Sequence, residues 1–248
     1  MTDSPTAVRP ERRAEIAAGL ARVRTRVADA CAAAGRDAGE VTVVAVTKTY
    51  PAADVVALAG LGVTDMGENR DQEAAPKAAE VAGAGVAPRW HFIGRLQRNK
   101  ARSVVRYADV VQSVDSVRLA AALDAAASEV RDRPLDVLVQ VSIDGDPARG
   151  GALPGVADPE RGLDPVAAAV AGAAGLRLAG LMAVAPLGWE PDRAFARLAE
   201  VAARLRADHP GATAVSAGMS GDLESAINHG ATHVRVGSAL LGMRPTLG

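Results

Sequence analysis

Short runs of apolar residues punctuate the chain at 41–48, 63–68, 90–94, 109–115, 135–143, 176–184, 213–219 and 233–237. Their brevity and their richness in Val, Leu and Ala predict buried strands. Between them lie longer stretches, such as 116–131 and 191–208, in which apolar side chains return every three or four residues among Arg, Asp and Glu. That period is the mark of an amphipathic helix. Alternation of the two kinds of segment yields a parallel sheet covered by helices, and about eight such units predict an α/β fold closed as a single (β/α)8 barrel of TIM type. The stretch 239–248 is too short for a full helix after the last strand, whereas 9–35 reads as a long amphipathic helix before the first. This extra N-terminal helix is expected to cover the gap. Residues 1–248 are read as one barrel domain with 1–8 flexible, and the Gly-, Pro- and Asp-rich segment 144–165 as a long excursion after the fifth strand, mobile or binding.

Composition narrows the function without naming it. At 49% hydrophobic and 2% aromatic, the core must be built from Ala, Val and Leu. A net charge of -1 argues against a general nucleic-acid or anionic-membrane binder. The single cysteine, Cys31, excludes an internal disulfide framework and fits a small buried thiol in a reducing compartment. No signal-type segment is seen, and no apolar run approaches the roughly 20 residues that cross a bilayer. A cytoplasmic location is expected.

Lysine usage changes the picture most. Only Lys48, Lys77 and Lys100 are lysines, against 25 arginines. A guanidinium keeps its charge, while an amine can lose a proton and attack a carbonyl carbon. Lys48 ends the first predicted strand, which aims its amine at the pocket beyond.

Barrels place their chemistry at the carboxyl ends of their strands, and phosphate commonly lies between the loops after strands seven and eight. Here those loops read Gly218-Met219-Ser220-Gly221-Asp222 and Gly237-Ser238-Ala239. Each joins glycine to a hydroxyl, the makings of a phosphate cradle. Taken singly, Ser220 could merely cap a helix and Gly237 merely serve a turn. Alternation sets His233, Arg235 and Gly237 opposite Val234 and Val236, so Arg235 is expected inside the barrel, where it needs an anion or a strong acceptor. Asn69 with Gln72 has the form of a capping box, which competes with a site role for Glu68 and Asn69. His91 is expected to be a hydrogen-bonded barrel residue rather than a base. No metal spacing, nucleophile elbow or Walker-type loop occurs in the sequence.

The ordered set AVTKTYP, GENRDQE, WHFIGRLQRNK, SVDS, GLMAVAP, GMSGD and VRVGSALLG resembles the pyridoxal phosphate homeostasis protein family from about residue 12 to 242. The resemblance implies the barrel of the alanine racemase N-terminal domain and pyridoxal 5′-phosphate held as an imine on Lys48. It further implies that Ser220, Gly237 and Ser238 hold the phosphate, that Arg235 faces the pyridine nitrogen, and that Asn69 lies beside the ring. Three positions depart from the family pattern: Arg149 in place of a lysine, Gln112 in place of a common histidine, and Ala217 in place of a methionine. The expected role is intracellular handling of pyridoxal phosphate without robust turnover and without a catalytic residue or metal. Apo-enzymes would be the recipients, and a monomer is expected. An arginine at the ring nitrogen weakens the ring as an electron sink, and the β-domain with the opposing tyrosine of related racemases is not expected in this chain. Two alternatives stay open at this point: a racemase-like enzyme with Lys48 as base, and an aldolase in which Lys48 attacks a sugar-phosphate carbonyl.

Overall fold

In the computed structural model, residues 8–242 are described. The chain runs α1 (Pro10–Ala33), β1 (Thr42–Val46), α2 (Ala52–Gly60), β2 (Asp65–Glu68), α3 (Asp71–Gly83), β3 (Arg89–Phe92) and α4 (Ala101–Val104). It continues through β4 (Val110–Val114), α5 (Val117–Val130), β5 (Leu135–Gln140), α6 (Leu163–Ala171), β6 (Leu176–Met182) and α7 (Pro191–Asp208). The last elements are β7 (Ala214–Ser216), α8 (Leu223–Asn228), β8 (His233–Val236) and α9 (Ser238–Leu241). All eight strands pair in parallel, and β8 returns to β1 through Thr42↔His233 and its successors, closing the barrel.

Each strand falls on its predicted run, but several runs overshoot at the carboxyl end. β7 stops at Ser216 and β5 at Gln140, although Ala217 and Ile143 remain buried beyond them. Burial keeps those positions apolar after the chain has left the ladder to form loops.

Alternation divides the side chains of the strands between two environments. Ala45, Met66, Trp90, Val234 and Val236 pack outward with Ile16, Leu20, Val23 and Val27 of α1. Val111, Val137, Val139, Leu181 and Val215 pack outward against α5, α6 and α7. The lumen holds a small apolar plug of Val110, Leu138 and Met182; Val44 and Val46 are buried on the face opposite Ala45, and the polar Asp65, His91, Gln112, Ser216 and Arg235 are buried there as well. Helix α1 lies against α2, α8 and α9 and fills the place of a last full helix, as expected. Cys31 is buried on that face.

Of residues 1–8, expected to be flexible, the first seven lie outside the described residues, and Val8 packs against the α1 cluster. The segment 144–165 is tied down: Val141 bridges Ala152, Leu153 bridges Gly162, and Ala152 and Leu153 are buried. Its Glu160 also serves α5, accepting from the backbone of Val117 at 3.0 Å and of Arg118 at 3.1 Å. An exposed helix start is thereby satisfied from another loop. None of the described helices is long and apolar enough to cross a membrane.

Candidate functional site

The first strand delivers Lys48 to the mouth of the barrel, exposed on a turn just past buried Thr47. Lys77 and Lys100 form ion pairs, whereas the Lys48 amine has no partner among the described residues. The next residue, Thr49, has φ 72°, the one positive φ outside glycine among the described residues. A β-branched residue there stores about 1–3 kcal/mol of strain, of the kind that collects at functional sites. The Thr49 hydroxyl donates to the Lys48 carbonyl and helps hold the turn.

Beneath this turn lies a clamp. Lys77 of α3 donates to the Thr47 carbonyl at 2.8 Å and to Glu68 Oε1 at 2.6 Å, and Thr47 Oγ1 donates to the same carboxylate oxygen at 2.6 Å. All three side chains are buried. The ends of β1 and β2 are thus fastened through a buried ion pair, which gives Glu68 Oε1 a structural part, while Glu68 Oε2 is buried without a partner.

Asn69 follows directly. The capping box with Gln72 does not form: Arg70 is the N-cap of α3, and no side chain caps it. The residue is instead positioned by close backbone packing, since a Cβ on Gly94 would lie 2.0 Å from the Asn69 carbonyl oxygen. Asn69 Oδ1 is buried without a partner. An orphaned buried acceptor asks for a donor. Asn69 lines an open cavity of about 1000 Å³ together with Arg95, Arg98, Lys100, Asp115 and Glu160.

The loops after β7 and β8 meet as expected. Ser238 Oγ and the Ala239 N–H each lie 3.4 Å from Ser220 Oγ. Ser220 does not cap α8, whose N-cap is Asp222. Arg26 of α1 braces the loop, donating to the Ser220 carbonyl at 2.9 Å and to Glu224 at 2.6 and 2.8 Å. The demand for glycine falls on Gly218, with φ 87° and a hypothetical Cβ 2.6 Å from that of Ala226. Gly237, at φ -115°, lies against Val46 in ordinary contact and needs no left-handed conformation.

Arg235 points into the lumen, 4% exposed, and donates to Ser216 Oγ and to the Ala183 carbonyl, both at 2.8 Å. It has no carboxylate ion pair among the described residues; its partners are the strong acceptors of the expectation. Burial pushes its guanidinium down to about 10, against the pull of Asp222, so it stays cationic at neutral pH. His91 is indeed a hydrogen-bonded barrel residue, 2.8 Å from Asp65 Oδ1 and 2.8 Å from Gln112 Nε2. Burial raises the Asp65 carboxyl, but hydrogen bonds from His91 and Thr64 outweigh it and hold the group below its usual range. Burial, and then the nearby His91, push His233 down to about 4.

Sequence reasoning gave no structural or site role to Thr49, Lys77, Asp65, Gln112 or Ser216. The last three carry a readable signal, because each is a polar residue on the alternating face of an otherwise apolar run. Among the described residues no group of three His, Cys, Asp or Glu is placed to hold a metal.

This barrel, with a free amine after β1 and paired hydroxyl loops after β7 and β8, belongs to a known class. The model of the alanine racemase N-terminal domain matches residues 20–245. The pyridoxal phosphate homeostasis protein of Mycobacterium tuberculosis is 46% identical over 251 residues, covering 95% of this chain and 95% of that one. PipY of Synechococcus elongatus, solved with pyridoxal phosphate bound, is 33% identical with a TM-score of 0.74, covering 92% of this chain and all of that one. The chain therefore belongs to the pyridoxal phosphate homeostasis protein family. Alanine racemase from Corynebacterium glutamicum is similar in fold, with a TM-score of 0.64 at 17% identity, and the match spans 62% of its length.

Proposed function

We propose that this protein binds pyridoxal 5′-phosphate at the carboxyl end of its barrel and serves intracellular pyridoxal phosphate homeostasis, holding and passing on the cofactor to apo-enzymes without turning over amino acids. One observation carries the reading: the single unpaired lysine among the described residues stands at the mouth whose β7 and β8 loops bring two hydroxyls together. Residues here fit the cofactor. Lys48 would supply the amine for covalent attachment. Ser220, Ser238 and the backbone at Gly237 would take the phosphate, the orphaned Asn69 would lie beside the ring, and Arg235 would face its nitrogen. When bound, pyridoxal phosphate supplies an electrophilic aldehyde carbon and a ring able to draw electrons from an attached group.

Two features support a holding role. A guanidinium that stays charged beside the ring nitrogen disfavours a proton there. Neither tyrosine of the sequence is free to reach the mouth as a base: Tyr50 donates to the Gly242 carbonyl at 2.7 Å, and the Tyr107 hydroxyl is buried without a partner, its acidity weakened by burial and then by Asp71 and Glu68. Neither is left to act as a second base.

Borohydride reduction of the loaded protein, followed by peptide mass mapping, is expected to place the cofactor on Lys48. Lys48→Ala and Lys48→Arg should both lose the adduct while staying folded, because an exposed turn lysine contributes little packing. An adduct on Lys77 or Lys100 would sink the assignment. Chiral chromatography of common amino acids should show no racemisation above free pyridoxal phosphate, and turnover of about 1 s⁻¹ or more would make the protein an enzyme.

A further inference from the structure

Five buried side chains in the lumen form a continuous hydrogen-bonded series, Asp65–His91–Gln112–Ser216–Arg235, with successive separations of 2.8, 2.8, 2.7 and 2.8 Å. Strands β4 and β7 are not neighbours in the barrel, so the Gln112–Ser216 bond crosses the lumen.

Counting donors fixes the direction of every link. The Asp65 carboxylate can only accept, so His91 Nε2 carries hydrogen toward it, and Nδ1 is left to accept from the Gln112 amide nitrogen. Gln112 then offers its oxygen to the Ser216 hydroxyl, whose hydrogen is thereby used. Ser216 Oγ is left as a pure acceptor facing Arg235. Turning the Gln112 amide around would aim two donors at Ser216 and leave the serine hydrogen without a target. The series therefore has one self-consistent polarity, from a cation at one end to an anion at the other. Its last link, with the Ala183 carbonyl, commits two guanidinium N–H groups and sets the plane of the rest.

We propose that this relay aims Arg235, and that Gln112 is a positioning residue for recognition of the pyridine nitrogen. This rests on the reading that Arg235 faces that nitrogen in bound pyridoxal phosphate. A guanidinium held only by burial could tilt; one locked at two acceptors, each locked in turn, presents a fixed donor. Ordinary satisfaction of a polar lumen would need the same bonds but would make no difference to which ring is preferred.

The test compares pyridoxal phosphate with its deaza analogue, in which C–H replaces the ring nitrogen. Hydrogen bonds involving a charged group contribute enough for a preference of about ten-fold or more for the natural ring in the unmodified protein. Gln112→Met keeps the volume but neither polar group, and the preference is expected to collapse toward about one-fold by the loss of that bond. Gln112→His, which offers a donor on one ring nitrogen and an acceptor on the other, should restore it. Should Gln112→Met not fold, Ser216→Ala, which deletes one oxygen, is read the same way. A Gln112→Met protein that binds both cofactors more weakly but keeps the wild-type ratio overturns the relay and leaves the Arg235 placement standing. A wild-type ratio near one overturns the placement itself, and the relay's purpose with it.

Discussion

At the amino-terminal end of the barrel, Arg89 and Arg177 close on Asp136 at 2.5 and 2.6 Å, and Arg131 and Arg133 share Asp109 at 4.0 and 3.6 Å. A cavity of about 640 Å³ lies among them. At the carboxyl end the polar groups are left less satisfied: Lys48 has no partner among the described residues, Asn69 Oδ1 is orphaned, and Ser220 and Ser238 meet at 3.4 Å. Both ends are rich in cations and both are concave, yet at one end carboxylates already answer the charge. The amino-terminal end leaves one buried donor, Arg131 Nε, without a partner, but no free amine, so an unpaired lysine beside facing hydroxyls, rather than charge or cavity volume, sets the carboxyl end apart.

The sharpest way to disturb this contrast is to create an unmatched charge where none exists. Lys77→Ala should cost about 3–5 kcal/mol of stability in urea unfolding, because it leaves the buried Glu68 carboxylate with only the Thr47 hydroxyl as a hydrogen-bond partner. A loss below about 1 kcal/mol would mean that water reaches the pair. Next comes pH. His233 has a folded value of about 4 against an ordinary 6.5, so between these the unfolded chain takes up a proton that the folded chain refuses. Stability is therefore full above pH 6.5 and falls as pH drops toward 4, by up to about 3 kcal/mol. His233→Gln should flatten that part of the profile, and an unchanged slope would exclude His233 as its source.

At the cradle, Ser220→Ala and Ser238→Ala should each cost about 1–3 kcal/mol of pyridoxal phosphate binding by titration. They should hardly alter the weaker binding of unphosphorylated pyridoxal. Equal losses for the two forms would return both loops to plain turn structure. The smallest effect belongs to the satisfied end. Arg177 is largely exposed, and Arg177→Gln should change stability by about 0–1 kcal/mol and binding not at all.

The barrel was legible because alternation of strand and helix is a repeated signal, and each of the eight units supports the others. Lys48, Arg235 and the two serine loops were legible because composition and strand alternation single them out. The clamp under Lys48 was not. Glu68 and Lys77 are nine residues apart across the start of a helix, and their buried pairing with the Thr47 carbonyl depends on how α3 lies over two strand ends. The φ of Thr49 was equally hidden, since threonine is a residue that pattern assigns to extended backbone. The capping box at Asn69 failed because Gly94 lets the backbone at Asn69 approach closely, and the helix begins one residue later.

The bracing of the mouth by α1 also sets an order of events during synthesis. Arg26 reaches Glu224 across 198 residues, and Arg12 reaches the Leu241 carbonyl across 229. At roughly 5–20 residues per second, the first helix emerges tens of seconds before its partners exist. Its apolar face must stay soluble, or be sheltered by a chaperone, until about 200 further residues have followed it. The Ser220 loop gains its brace from Arg26 only then, so a small molecule arriving earlier meets an unbraced mouth.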